Sequence, residues 1–147
     1  MDTLQDNLEP LNRLLRGELS AVETYQQALE SVSEQQAVVE LERISMEHSQ
    51  AVSLLREEIR HFGGVADESS GAWGLWAQAV EGTAKVFGTT AALKALKEGE
   101  EHGLKEYQAI MNDPDLMPEL KSLLTERLQL RQKEHIETLV RCMETLH

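Results

Sequence analysis

This chain has one cysteine, three prolines, 4% aromatic residues, few basic side chains and no long apolar run in its 147 residues. A lone Cys142 excludes an internal disulfide. No apolar stretch approaches the roughly 20 residues that a helix needs to cross a bilayer, so no membrane partner is expected. Lys and Arg number 14 against 26 Asp and Glu, for a net charge of -12. The basic residues are scattered among acids without forming a stripe, which argues against nucleic acid as a partner. Met1 opens onto Asp2 and Thr3 with neither the basic patch nor the apolar core of a signal peptide, and the expectation is a cytoplasmic protein. Scarce proline with abundant Leu, Ala, Glu and Gln favours helix throughout. The length suits a single domain over 1–147 with one core.

What is present is a repeat. Gly17-Glu18 is followed by Tyr25-Gln26, and Gly99-Glu100 is followed at the same interval by Tyr107-Gln108, 82 positions further along. Each copy precedes a Glu-His pair, Glu47-His48 in the first half and Glu134-His135 in the second. The repeating unit is therefore a pair of helices.

Leu4, Leu8, Leu11, Leu15, Val22, Tyr25, Leu29 and Val32 advance by threes and fours, marking one stripe of a first helix, and Glu18 falls on the same face. Ser31, Ser33 and Glu34 form a polar break. A second helix then starts near Gln36, carries Leu41, Ser45, His48, Val52, Leu55, Ile59 and Phe62 on its stripe, and ends at Gly63-Gly64. Between about 63 and 89 the pattern weakens. Asp67-Glu68-Ser69-Ser70-Gly71 reads as loop, while Trp73, Trp76, Val80, Ala84 and Phe87 predict a short extra helix within a crossover. So long a connection lets helix three run parallel to helix two. Helix three carries Leu93, Leu96, Glu100, Leu104, Tyr107 and Met111, and the chain breaks at Asn112-Asp113-Pro114-Asp115. Helix four runs from about Pro118, with Leu124, Leu128, Gln132, His135, Leu139, Cys142 and Leu146 on its stripe.

Six polar residues thus interrupt four apolar stripes at matching places: Glu18, Ser45, His48, Glu100, Gln132 and His135. A carboxylate on a core face costs free energy unless it is paired or bound to metal. Two carboxylates and two imidazoles at one level, Glu18, His48, Glu100 and His135, form a nitrogen and oxygen donor set suited to Fe, Mn or Zn and poorly suited to Ca or Mg.

The segment Leu11-Asn12-Arg13-Leu14-Leu15-Arg16-Gly17-Glu18-Leu19-Ser20-Ala21-Val22-Glu23-Thr24-Tyr25 resembles the first helix of bacterioferritin. Nearly the whole chain resembles the ferritin-like superfamily, and in length and layout its small stand-alone bacterial four-helix members. That resemblance implies an all-α, ferritin-like four-helix bundle with a long crossover between helices two and three. In di-iron members, helices one and three each give a Glu, and helices two and four each give a Glu-x-x-His whose Glu bridges the metals. Glu18, His48, Glu100 and His135 match that pattern, but Ser45 and Gln132 stand where the bridging glutamates belong. Losing two charge-neutralising ligands argues against di-iron oxidase activity. Glu47 and Glu134 adjoin the histidines but project about 100 degrees away around the helix, making them poor substitutes.

The expected function is a ferritin-like protein with a reduced Glu/His metal site, linked to redox or stress physiology and not a storage cage. Iron is the first cofactor considered, with Mn or Zn accepted by the same donors. The alternative is a metal-free structural or interaction bundle with a decayed di-iron site, in which Glu18 and Glu100 pair with His48 and His135 and set register. Arg131, one turn before His135, would favour that alternative by reaching inward to a carboxylate. In it, the Trp73-Trp76 segment mediates a homodimer. Tyr25 and Tyr107 are expected as core aromatics beside the site, and His61, His102 and His147 as surface residues.

Overall fold

The computed structural model describes residues 3–68 and 87–146, with side chains from residue 7 onward. Among the described residues the regular structure is all helical, with no strand. The elements are α1 (Thr3–Ser31), α2 (Gln35–His61), α3 (Thr89–Met111) and a fourth rod in three consecutive pieces. Those pieces are α4 (Pro118–Leu123), a π-helical stretch (Leu124–Gln129) and α5 (Leu130–Thr145). The short helix expected through Trp73 and Trp76, and the dimer contact assigned to it, lie outside the described residues, as does His147.

The breaks fall where local chemistry puts them. At the end of α2, Gly63 adopts φ +76, its N–H donates to the Arg60 carbonyl at 2.9 Å, and the Gly64 N–H donates to the Ile59 carbonyl at 2.9 Å. This paired closure of a helix end needs a left-handed residue, which glycine supplies without strain. The chain is then pinned along α1. Asn12 donates to the Val65 carbonyl at 3.2 Å and accepts from the Asp67 N–H at 2.9 Å, while Arg16 pairs with Asp67 at 2.5 Å. Pro118 opens the fourth rod at a position where its missing N–H goes unused. The Met117 N–H just before it donates to Asn7 of α1 at 3.1 Å.

The buried seam of α1 runs Asn7, Leu11, Leu14, Glu18, Ala21, Tyr25, Ala28 and Val32, alternating steps of four and three throughout. That is the heptad spacing that keeps one face against a neighbouring helix. Val22 and Leu29, expected at the centre of this stripe, are half-buried flanks. Ala21 and Ala28 hold the centre instead, since small side chains admit a close neighbour while adding little to an apolar pattern.

The fourth rod departs from the uninterrupted helix that its stripe suggests. Leu120, Leu124, Leu128 and Gln132 are all buried and recur every fourth residue. On a regular α-helix such a run drifts around the axis by about 40 degrees per step. The π-helical stretch, with its wider i to i+5 ladder, takes up that excess and keeps Gln132 and His135 facing inward.

The apolar interior forms two clusters. One gathers Leu11, Leu15, Leu55, Ile59, Ile110 and Leu124, and the other gathers Tyr25, Ala28, Leu41, Ile44, Leu93 and Leu139. Each fully buried Leu or Ile contributes about 1.5–3 kcal/mol through burial. Between the clusters lies a belt of buried polar side chains: Glu18, His48, Glu100, Gln132 and His135. No described helix is long and apolar enough to cross a membrane.

Candidate metal centre

Each member of the belt comes from a different helix or rod position. Glu18 lies on α1, His48 on α2, Glu100 on α3, and Gln132 and His135 on α5. All five are at least 95% buried. Charged groups this far from water need partners, and the pairing is specific.

His48 lies at the centre of one side. Its Nδ1 meets Glu18 Oε2 at 2.5 Å and its Nε2 meets Glu100 Oε1 at 2.6 Å. Two tyrosines complete these carboxylates from the opposite helices. Tyr25 of α1 donates to Glu100 Oε1 at 2.8 Å, and Tyr107 of α3 donates to Glu18 Oε1 at 2.7 Å. The sequence repeat therefore becomes a reciprocal exchange, in which each glutamate receives the hydroxyl that belongs to the other copy. Tyr25 also stacks on the His48 ring, with centroids 5.5 Å apart.

Burial opposes a charge on His48, but Glu100 and Glu18 outweigh it and push the imidazole up to about 10. Burial likewise opposes a charge on Glu100, and the His48 imidazole outweighs it and holds the carboxyl down at about 2. Burial, reinforced by the neighbouring glutamates, raises both tyrosines well above their ordinary value.

His135 occupies the corresponding station on α5 but is satisfied differently. Its Nε2 meets Glu47 Oε1 at 2.7 Å, and its Nδ1 faces Glu100 Oε2 at 3.5 Å. Among the described residues neither His135 Nδ1 nor Glu100 Oε2 has a hydrogen-bond partner. The two imidazoles lie close, with ring centroids 4.7 Å apart. One donor atom from each of His48, Glu100 and His135 lies within 4.8 Å of the others, so these three can surround one ion.

Glu18 is joined to this group through the far nitrogen of His48. Ser45 is half-buried, and Gln132 donates to the Glu100 backbone carbonyl at 3.1 Å, so its side chain is turned onto α3. Gly103 makes room for it, because a Cβ there would come within 2.5 Å of the Gln132 Nε2. Arg131 does not enter the belt; it donates to Gln50 at 3.0 Å on the exposed side. A narrow cleft between α1 and α3, lined by Gly17, Gly99, Glu18 and Glu100, reaches the belt from outside with room for about one water.

Sequence reasoning set Glu47 aside as a poor substitute for a bridging ligand and missed its contact with His135. Glu47 projects away from the direction of His48, as its position on α2 requires, and that direction is where α5 brings His135. The signal available was its place on the flank nearest the fourth rod, which needs the packing of the two helices to interpret. His61 and His102 are exposed, as expected.

No curated protein and no solved structure matches the chain. Residues 6–113 match a protein family described as a domain of unknown function, DUF2383, a span that takes in Glu18, Tyr25, His48, Glu100 and Tyr107 and stops before His135. By that match over most of its length, the chain belongs to the DUF2383 family.

Proposed function

We propose that the protein holds a single transition-metal ion on His48, Glu100 and His135, within a ferritin-like bundle whose crossover links α2 to α3. The observation that carries this is the pair of buried, unpartnered atoms, Glu100 Oε2 and His135 Nδ1, facing each other at 3.5 Å. A cation between the carboxylate oxygen and the imidazole nitrogen would satisfy both. Their separation is close to the edge of a tetrahedron drawn around a metal about 2.1 Å from each ligand, which is about 3.4 Å. The donor set of two nitrogens and a carboxylate suits Fe, Mn or Zn.

In this arrangement Glu18 orients His48 from its outer nitrogen, as carboxylates commonly do behind metal-bound histidines. Binding displaces the proton that His48 otherwise carries, so the ion competes with an internal ion pair. Iron or manganese there would supply one-electron chemistry. The chain's own residues restrict water to the narrow cleft between α1 and α3, fix the imidazoles and hold the tyrosine protons on their hydroxyls. Ser45 and Gln132 offer no bridging carboxylates for a second ion, which supports a one-ion site over a di-iron oxidase; redox or stress physiology is the setting proposed for it.

The bundle itself is supported by the short connections from α1 to α2 and from α3 to the fourth rod. Thr89, at the start of α3, donates to Glu34, at the start of α2. Both helices therefore begin at the same end, which supports the parallel arrangement that the crossover reading needs.

A second reading is favoured by His48, whose two nitrogens are both satisfied without metal. In it the belt is a structural ion-pair network alone. Metal analysis of protein purified without chelator separates the two. Close to one equivalent of metal, lost in His48→Ala and in His135→Ala, is expected. Protein that carries no metal and takes up none when supplied, or whose metal content is unchanged in both variants, leaves the structural network as the function of the belt.

A further inference from the structure

We propose that Glu47 is a positioning residue that fixes the tautomer of His135, so that Nδ1 is the nitrogen presented to the interior. The consequence for metal affinity rests on the metal reading above, whereas the tautomer itself is a property of the metal-free chain.

The geometry begins at the outer edge of the ring. His135 Nε2 lies 2.7 Å from Glu47 Oε1, a short hydrogen bond in which an ionised carboxylate can only accept. When the ring carries one proton, that proton therefore sits on Nε2, and Nδ1 is left with its lone pair turned toward Glu100 Oε2 at 3.5 Å. Two acceptors facing each other mark a place for a cation, and which ring nitrogen takes part is decided by the hydrogen bond of the other.

Glu47 is itself held. Arg43 reaches both of its oxygens at 3.4 Å and donates to Thr138, one turn beyond His135 on α5, at 3.1 Å. The same guanidinium thus ties α2 to α5 at the level of the ring it steadies. Burial opposes the charge on Glu47, but His135 and Arg43 outweigh it and keep the carboxyl below its ordinary value.

His48 is oriented in the opposite sense, with Nδ1 outward on Glu18 and Nε2 inward on Glu100. Each imidazole therefore has one carboxylate behind it, and both turn their remaining nitrogen toward the two oxygens of Glu100. Glu47 is 23% exposed, so replacing it leaves no sealed cavity.

Long-range proton–nitrogen NMR correlation of the histidine rings, recorded on the full metal-free chain at one neutral pH, tests the proposal. The wild-type protein is expected to show His135 protonated at Nε2 and bare at Nδ1. Glu47→Ala removes the acceptor, and the ring should then populate the Nδ1–H form against Glu100. Glu47→Gln keeps an acceptor oxygen, and the wild-type tautomer should return. An unchanged tautomer in Glu47→Ala overturns the proposal, as does a wild-type ring protonated at Nδ1 alone or at both nitrogens.

Competition titrations with Zn²⁺ or Mn²⁺ then read the consequence. Glu47→Ala should bind about 10- to 100-fold more weakly, with Glu47→Gln in between. Wild type that binds neither ion defeats the metal reading and leaves the tautomer result to decide the proposal.

Discussion

The two histidines of the belt stand at equivalent stations of a duplicated helical hairpin, yet one is closed and the other open. His48 spends both nitrogens on carboxylates, whose other contacts are the hydroxyls of Tyr25 and Tyr107. His135 uses its outer nitrogen on the partly buried Glu47 and leaves the inner one without a hydrogen bond beside Glu100. Glu100 is the residue they share, with one oxygen saturated on the His48 side and the other orphaned on the His135 side. The difference teaches that duplicated sequence does not yield duplicated electrostatics. One half of the belt is an ion pair complete in itself, joining α1, α2 and α3. The other half, with its two open atoms, is where the proposed ion would bind.

The largest way to break the comparison is to remove what the two sides share. Glu100→Ala strips His48 of one carboxylate and leaves the Tyr25 hydroxyl buried without its acceptor. Breaking one partner out of a buried charged network costs about 3–5 kcal/mol, read as a fall in the chemical denaturation midpoint. His135→Ala should cost less, because the group lost is the incompletely bonded one.

A pH series on metal-free protein probes the closed half more gently. The folded pKa of His48 is raised from 6.5 to about 10, so its contribution is full below the lower value and is lost as pH climbs toward the upper one. Glu100 is depressed from 4.5 to about 2, so its contribution is full above the upper value and is lost as pH falls toward the lower one. Stability from the network should therefore be greatest between about pH 4.5 and 6.5 and decline on both sides. In Glu100→Ala the alkaline decline should become shallower, because the stronger of the two carboxylates that keep His48 charged is gone.

The smallest effects sharpen the reciprocity. Tyr25→Phe and Tyr107→Phe each remove one hydroxyl from a buried carboxylate, for a loss of about 1.5–3 kcal/mol apiece in denaturant melts. Near-equal losses are expected, because each hydroxyl serves one carboxylate at nearly the same distance. A loss in only one of them would show that the exchange between α1 and α3 is lopsided.

Much of this was legible in sequence because helical periodicity carries it. The bounds of α2, the start of the fourth rod at Pro118 and the inward placement of Glu18, His48, Glu100 and His135 all follow from the spacing of apolar residues around them. The alanine-lined seam of α1 was hidden, since Ala21 and Ala28 contribute little apolar signal, and Val22 and Leu29 drew the stripe to one side. The π-helical stretch was written in the four-residue step from Leu120 to Gln132, which an α-helix cannot keep on one face. Pairing between helices was beyond reach. That Glu47 meets His135, and that Gln132 turns onto Gly103 and the Glu100 carbonyl, depend on how α2, α3 and α5 are rotated against one another. No periodicity within a single helix records that rotation.

Anomalous diffraction at the absorption edge of the supplied metal, from crystals grown with Fe²⁺, Mn²⁺ or Zn²⁺, tests the metal centre most directly. One peak per chain is expected, bounded by Glu100, His48 Nε2 and His135 Nδ1, with Glu18 and Glu47 behind the two imidazoles. An intact belt with no peak at that level for any of the three metals would contradict it.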